Sequence, residues 1–234
     1  MGIKERHERD REAVKRAILD AARDLFVSEG YENVSMRKIA ERIEYSPAAI
    51  YSYFPSKDEI FIALAEEGVR LFADCNAGSL DGLPAIERLR RMVLRLDRFS
   101  TEHPQYFALM FVDRTVPRIC REYERFTFAR EMRQEMIAEL EHAADEGVFP
   151  KTIPAATAFR ILTMGVFGVA VMRLSGRLTA ENGDALVNDV LNVTLAGLKT
   201  GVALESLDSE LRPHGKPADK ATENHEGDRE HARH

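Results

Sequence analysis

The stretch "MRKIAERIEYSPAAIYSYFPSKDE", residues 36 to 59, contains two helix starts ten residues apart, Ser46-Pro47 and Ser56 with Glu59 three positions on. A serine before a proline is a cap followed by the one helical position that needs no N–H donor. Serine followed three residues later by glutamate is a capping box. Pro55 closes the interval, so a helix of about two turns is expected from Ser46 to Phe54. A second helix, Met36 to Ile43 with Ser35 as its cap, precedes it, and only Glu44, Tyr45 and Ser46 join the two. Two short helices around a three-residue turn form a helix-turn-helix, whose second helix enters the major groove of DNA.

Helical spacing sorts the aromatic residues of that second helix. Ile50 and Phe54 are four apart and face a core with Leu25, Phe26, Ile39 and Ile43. Tyr51 and Tyr53 point away from that pair. A phenol has an apolar ring and a donor tip, which suits a sugar-phosphate backbone. Padding of a small three-helix core is the other reading. Two such tyrosines, small residues at the helix start and a local excess of positive charge together favour DNA. From Asn33 to Lys57 there are four bases (Arg37, Lys38, Arg42, Lys57) against two acids (Glu41, Glu44). The whole chain is acidic, with a formal net charge of −6, so any basic footprint is confined to this segment.

The remainder is helical as well. Apolar residues make up 44% of the 234 and charged residues 31%, enough to bury a core, and alternating strand patterns are scarce. The fold class is all-α with about nine helices. Residues 1–12 alternate in charge and read as a solvated arm or a frayed helix start. A first helix runs from Ala13 to a stop at Gly30. A fourth opens at Ser56 and runs towards Gly78. "NAGSLDGLP", residues 76–84, is a polar break and a candidate hinge. Helices then follow at 84–102, 104–111, 117–146, 154–173 and 182–202. The domains expected are 1–57 (helix-turn-helix, with the arm 1–12), 58–204 (the C-terminal helices) and 205–234, a tail too poor in apolar residues to fold.

Several functions are disfavoured. There is no serine nucleophile elbow, no His/Cys cluster with metal-ligand spacing and no phosphate-cradling glycine loop, so no catalytic residue, cofactor or metal is assigned and an enzyme is not expected. Cys75 and Cys120 read as buried thiols. The N-terminus lacks an apolar signal region, and the uncharged run Ile161–Met172 is too short to span a bilayer and reads as a buried helix, so the chain is taken as cytoplasmic with no membrane partner.

"AARDLFVSEGYENVSMRKIAERIEYSPAAIYSYFPSKDEIFIAL", residues 21–64, closely resembles the DNA-binding domain of TetR-family transcriptional regulators. The resemblance implies a homodimer on a palindromic operator in double-stranded DNA, with a C-terminal domain for dimerisation and an unknown small-molecule effector. Carried over by position, Ser35 and Arg37 resemble backbone and base contacts, Pro47, Ala48 and Ala49 the base-facing start of the recognition helix, Tyr51 and Tyr53 its phosphate contacts, and Lys57 a contact at the next helix start. The family often has glycine where this chain has Glu44. Beyond residue 64 the resemblance is one of architecture. Tyr106, Phe107, Met110, Phe111, Tyr123, Phe126, Met164 and Phe167 are read either as ordinary core or as the lining of a pocket for a mostly apolar ligand. Small residues among apolar ones in the last two helices (Gly165, Gly168, Ala170, Ala196, Gly197) suit close helix approach, and the resemblance favours a dimer interface within 154–203.

Overall fold

The computed structural model describes residues 2–75, 79–112 and 128–201. Among these, nine α-helices follow one another: α1 Ile3–Glu29, α2 Met36–Arg42, α3 Pro47–Tyr51, α4 Lys57–Asp74, α5 Ala85–Glu102, α6 Pro104–Phe107, α7 Phe128–Asp145, α8 Ala155–Leu174 and α9 Ala180–Thr200. Their ends follow from the sequence. The hydroxyls of Ser35, Ser46, Ser56 and Thr179 accept the N–H of Lys38, Ala49, Glu59 and Asn182 respectively. Each cap satisfies a donor that has no partner inside its helix. Gly30 and Gly201 stop α1 and α9 with φ of 81° and 70°, a region that suits residues without a Cβ.

α1 begins at Ile3, so the charged arm is helical rather than coil. The side chains described over residues 4–13 are exposed, and the helix is a solvated extension of the buried part that starts at Ile18. The tail 205–234, Cys120 and residues 76–78 of the candidate hinge lie outside the described residues.

Two apolar cores organise the chain. In the first, Ile18, Ala22, Leu25 and Phe26 of α1 meet Ile39 and Ala40 of α2, Ile50 and Phe54 of the α3 unit, and Ile60, Phe61 and Leu64 of α4. Phe26, Tyr31 and Phe61 form a ring triangle with centroids 5.1, 6.0 and 5.3 Å apart. Ile50 is fully buried, which stabilises by about 1.5–3 kcal/mol and fixes which face of the five-residue α3 is left outside. This core continues along α4 into Phe72, Phe99, Tyr106, Phe107 and Met110. The second core joins α5, α7, α8 and α9 through Leu89, Val93, Leu140, Leu162, Val166 and Leu191.

α6 lies against both α1 and α4. The Arg16 guanidinium donates to Glu67 at 2.6 Å, to Asp20 at 2.6 Å and to the Tyr106 hydroxyl at 3.4 Å. Gln105 donates to Asp24 at 3.2 Å. α6 runs on into a π-helical turn, Ala108–Val112, a rare geometry that often marks functional places.

α8 is twenty residues long and apolar enough by length and composition to cross a bilayer, longer than the run expected from sequence because it also includes residues 155–160. Here it packs with α5, α7 and α9, although much of its surface stays uncovered.

Candidate nucleic-acid interface and effector cavity

The turn between α2 and α3 is built by backbone bonds. The N–H of Tyr45 reaches the Ala40 carbonyl at 2.9 Å and that of Glu44 reaches the Glu41 carbonyl at 3.3 Å. These are the two bonds of a Schellman ending, which requires a left-handed residue after the cap. Glu44 holds that position with φ of 60°, the only positive value at a non-glycine residue among the described residues. The family's glycine at this place therefore has a conformational cause, and glutamate adopts the same shape at a steric cost.

With the turn fixed and Ile50 buried, α3 presents Pro47, Ala48 and Tyr51 outward, Tyr51 being 54% exposed. Ala49 is half-buried. Ser35 and Arg37 lie exposed at the start of α2, which packs on α3. The Ser35 hydroxyl is occupied as a cap. Arg37 donates to Glu41 at 2.8 Å, a hydrogen bond that raises the guanidinium pKa. Such a solvated pair one helical turn apart is weak and exchanges readily for a phosphate or a guanine edge.

Two nominated residues behave differently. Tyr53 is half-buried and leans on α1, where the Arg11 guanidinium lies 5.8 Å from its ring. The Lys57 ammonium donates to the carbonyls of Tyr31 at 2.8 Å and Val34 at 2.9 Å and lies 4.0 Å from the Tyr31 ring centroid. Its charge ties the start of α4 to the turn after α1. Sequence reasoning passed over Tyr45, which is 44% exposed within the turn itself. The signal available was a tyrosine next to the cap Ser46.

The nominated pocket residues do not form one set. Tyr106, Phe107 and Met110 are core, and Phe107, Phe111 and Phe167 pack against one another in tilted and edge-on contacts with centroids 5.3–5.4 Å apart. Met164 is 58% exposed on the outer side of α8. Tyr123 and Phe126 lie outside the described residues. An apolar cavity of about 30 Å³ instead lies among α4, α5, α7 and α8, between Phe72, Met92, Met132, Met136 and Phe159, with Arg95 and Glu135 on its wall. The Arg95 guanidinium stacks over Phe72 at 4.1 Å, and burial pulls its pKa below the ordinary value, opposed by Glu135. That volume holds one or two waters, so an effector of ordinary size requires these helices to part.

On the far side, α8 and α9 pack tightly. A Cβ added at Gly165 would lie 2.4 Å from Val190, whereas at Gly168 it would meet nothing within 4 Å. Gly165 therefore serves contact within the chain and Gly168 faces outward. Met164, Val171, Met172 and Val193 are exposed on these two helices, Val193 to 74%.

Residues 18–64 match the family model described as bacterial regulatory proteins, tetR family. The chain is 39% identical over 98 residues to the HTH-type transcriptional repressor KstR of Mycolicibacterium smegmatis, covering 42% of this chain and 48% of that protein. It is 33% identical over 84 residues to the repressor AcnR of Corynebacterium diphtheriae, covering 36% and 42%. The chain thus spans about half the length of these curated relatives. Among solved structures, the TetR-family regulator PfmR from Thermus thermophilus superposes with a TM-score of 0.64 at 23% identity over 77% of this chain and 98% of that one, a likeness of fold.

Proposed function

Since the chain belongs to the TetR family of bacterial regulatory proteins, we propose that it is a cytoplasmic DNA-binding transcriptional repressor. The observation that carries this reading is the α2–turn–α3 unit: buried Ile50 orients α3, and the Glu44 turn sets α3 against α2. Together they leave Pro47, Ala48 and Tyr51 on an open face. The curated relatives carry the name of transcriptional repressors, which supports the same direction of control.

In this reading Tyr51 bonds a phosphate and Arg37 exchanges Glu41 for DNA. Ala48 and Pro47 carry no hydrogen-bond donor on their side chains, so they read thymine methyls or simply allow close approach. Much of the discrimination between sequences then comes from duplex shape. Tyr45 joins Tyr51 as a contact, and Lys57 acts mainly by holding α4 in place. The chain acts as a homodimer through the uncovered face of α8 and α9 on a palindromic operator. A mostly apolar effector enters at the α4–α5–α7–α8 cavity and changes the spacing of the two recognition helices.

The test is fluorescence anisotropy with an operator selected from random duplexes. Affinity should fall steeply with salt, as counterion release requires. Tyr51→Phe should weaken cognate and unrelated duplexes by about the same factor, roughly fivefold for one hydrogen bond of about 1 kcal/mol. Arg37→Ala should weaken the cognate duplex more than unrelated ones. Salt-independent binding, or two variants that bind like the parent, would remove this face from the interface.

A further inference from the structure

We propose that Cys75, Glu102 and His103 form a binding site for a divalent transition-metal ion, with zinc the best match to their donor set. The ligand atoms, one thiol sulfur, one carboxylate oxygen and one imidazole nitrogen, all lie within 4.8 Å of one another. Atoms around a tetrahedral zinc stand about 3.5 Å apart, given bonds of about 2.0–2.3 Å. Small side-chain rotations close that gap. A soft thiolate with an imidazole and a carboxylate suits zinc rather than magnesium or calcium, which take oxygen.

The arrangement depends on the fold, since Cys75 and Glu102 are 27 residues apart. Cys75 caps the C-terminus of α4, while Glu102 ends α5 and His103 is the corner residue before α6. At that corner the backbone leaves the helix, with φ −132° and ψ 58° at His103, which lets two consecutive side chains reach one point. The carboxylate is already aimed. Oε1 of Glu102 accepts from Arg98 Nε at 3.0 Å, and Oε2 lies 3.6 Å from the Cys75 sulfur. Arg98 is thus the outer partner that holds a metal-binding carboxylate in orientation. His103 is steadied by the Phe99 ring, 5.7 Å away between centroids. Cys75 is only 3% exposed and Glu102 is solvent-exposed, so the fourth position opens towards water. Binding releases the thiol proton to solvent. Thiolate and carboxylate then balance the charge of the ion, and Arg98 keeps its bond to the outer oxygen.

An ion here clasps the end of α4 to the α5–α6 corner. α6 in turn holds α1 through Tyr106 and Gln105, so occupancy stiffens the part of the first core where α1, α4, α5 and α6 meet. Any effect of that stiffening on DNA binding rests on the proposed repressor function, whereas the metal site itself does not.

The experiment adds cobalt(II) to the metal-stripped full chain and follows absorption. A site as described gives, at one equivalent, intense tetrahedral ligand-field bands together with a thiolate-to-metal charge-transfer band. Both should vanish in Cys75→Ser and persist in Cys120→Ser. His103→Gln should retain the charge-transfer band with weaker affinity, and Arg98→Ala should lower affinity by about 10–100-fold while leaving the spectrum unchanged. Zinc should displace the cobalt and raise the melting temperature of the parent but not of Cys75→Ser. Cobalt bound without a thiolate band, as the histidines of the tail would bind it, overturns the proposal. So does a thiolate band that survives Cys75→Ser.

Discussion

Glu44 carries more of the architecture than its chemistry indicates. Its left-handed backbone lets α3 turn back on α2, yet that conformation costs an L-residue roughly 1–2 kcal/mol. Glycine removes the steric cost but has more unfolded freedom to lose, about 0.5–1 kcal/mol. Glu44→Gly should therefore stabilise by about 0.5–1 kcal/mol, read as a shift in denaturation midpoint at constant slope. It also removes a negative charge beside the proposed phosphate face, so operator affinity should rise as well. A variant less stable than the parent would show that the glutamate side chain makes a contact worth more than the strain. Lys57 illustrates the opposite case. Its type and place resemble a phosphate ligand, while its ammonium is engaged by two carbonyls and a ring inside the protein.

Among the helices, α4 and α6 meet where Gly68 has no side chain. A Cβ there would lie 2.4 Å from the Met110 sulfur and 3.3 Å from the Tyr106 ring. Gly68→Ala must displace both, and overpacking of this kind costs about 1–3 kcal/mol even though alanine favours helix. Calorimetric melting checks it, and an unchanged or raised melting temperature would mean that α6 gives way freely. The same junction predicts a pH dependence. Hydrogen bonding from Arg16 holds the Asp20 carboxyl below its ordinary value, against the effect of burial. A carboxyl with a lowered folded pKa contributes stability above its unfolded pKa and loses it as pH falls through the folded one. The α1–α4–α6 junction should therefore weaken below about pH 4. Melting of Asp20→Asn should start lower at neutral pH and show a shallower acid decline than the parent. Parallel acid limbs in the two proteins would place the acid-sensitive group elsewhere.

For the molecule as a whole, the uncovered apolar surface of α8 and α9 is the largest consequence of the packing. Exposed Met164, Val171, Met172 and Val193 on two adjacent long helices are what a four-helix interface between two copies would bury. Val193→Asp should turn a dimer into a monomer in sedimentation at micromolar concentration, with a helical spectrum like that of the parent. Operator affinity should fall by orders of magnitude, since two half-sites are no longer read together. A monomeric parent, or a Val193→Asp protein that remains dimeric, would move the interface off this face.

The helices and their ends were legible in the residues, because a cap acts within three positions and an apolar stripe repeats every 3.6. Ser35, Ser46 and Ser56 cap as read, Gly30 stops α1, and the all-α class follows from the absence of alternation. The helix-turn-helix was legible for the same reason, as all its parts lie within one short stretch. What spacing leaves open is which neighbour each face meets, since that depends on helix crossings between distant segments. Gly165 and Gly168 look alike in sequence, but only the α8–α9 crossing makes one an inner contact and the other an outer face. Met164 and Phe167 were grouped by type, and the rotation of α8 about its axis separates them. Tyr53 is drawn inward by α1, a helix that begins far upstream in the chain. Cys75, Glu102 and His103 share no motif. They meet because the C-terminal ends of α4 and α5 converge on one corner, where Phe72 also packs on Phe99, a relation written in their packing and not in either helix alone.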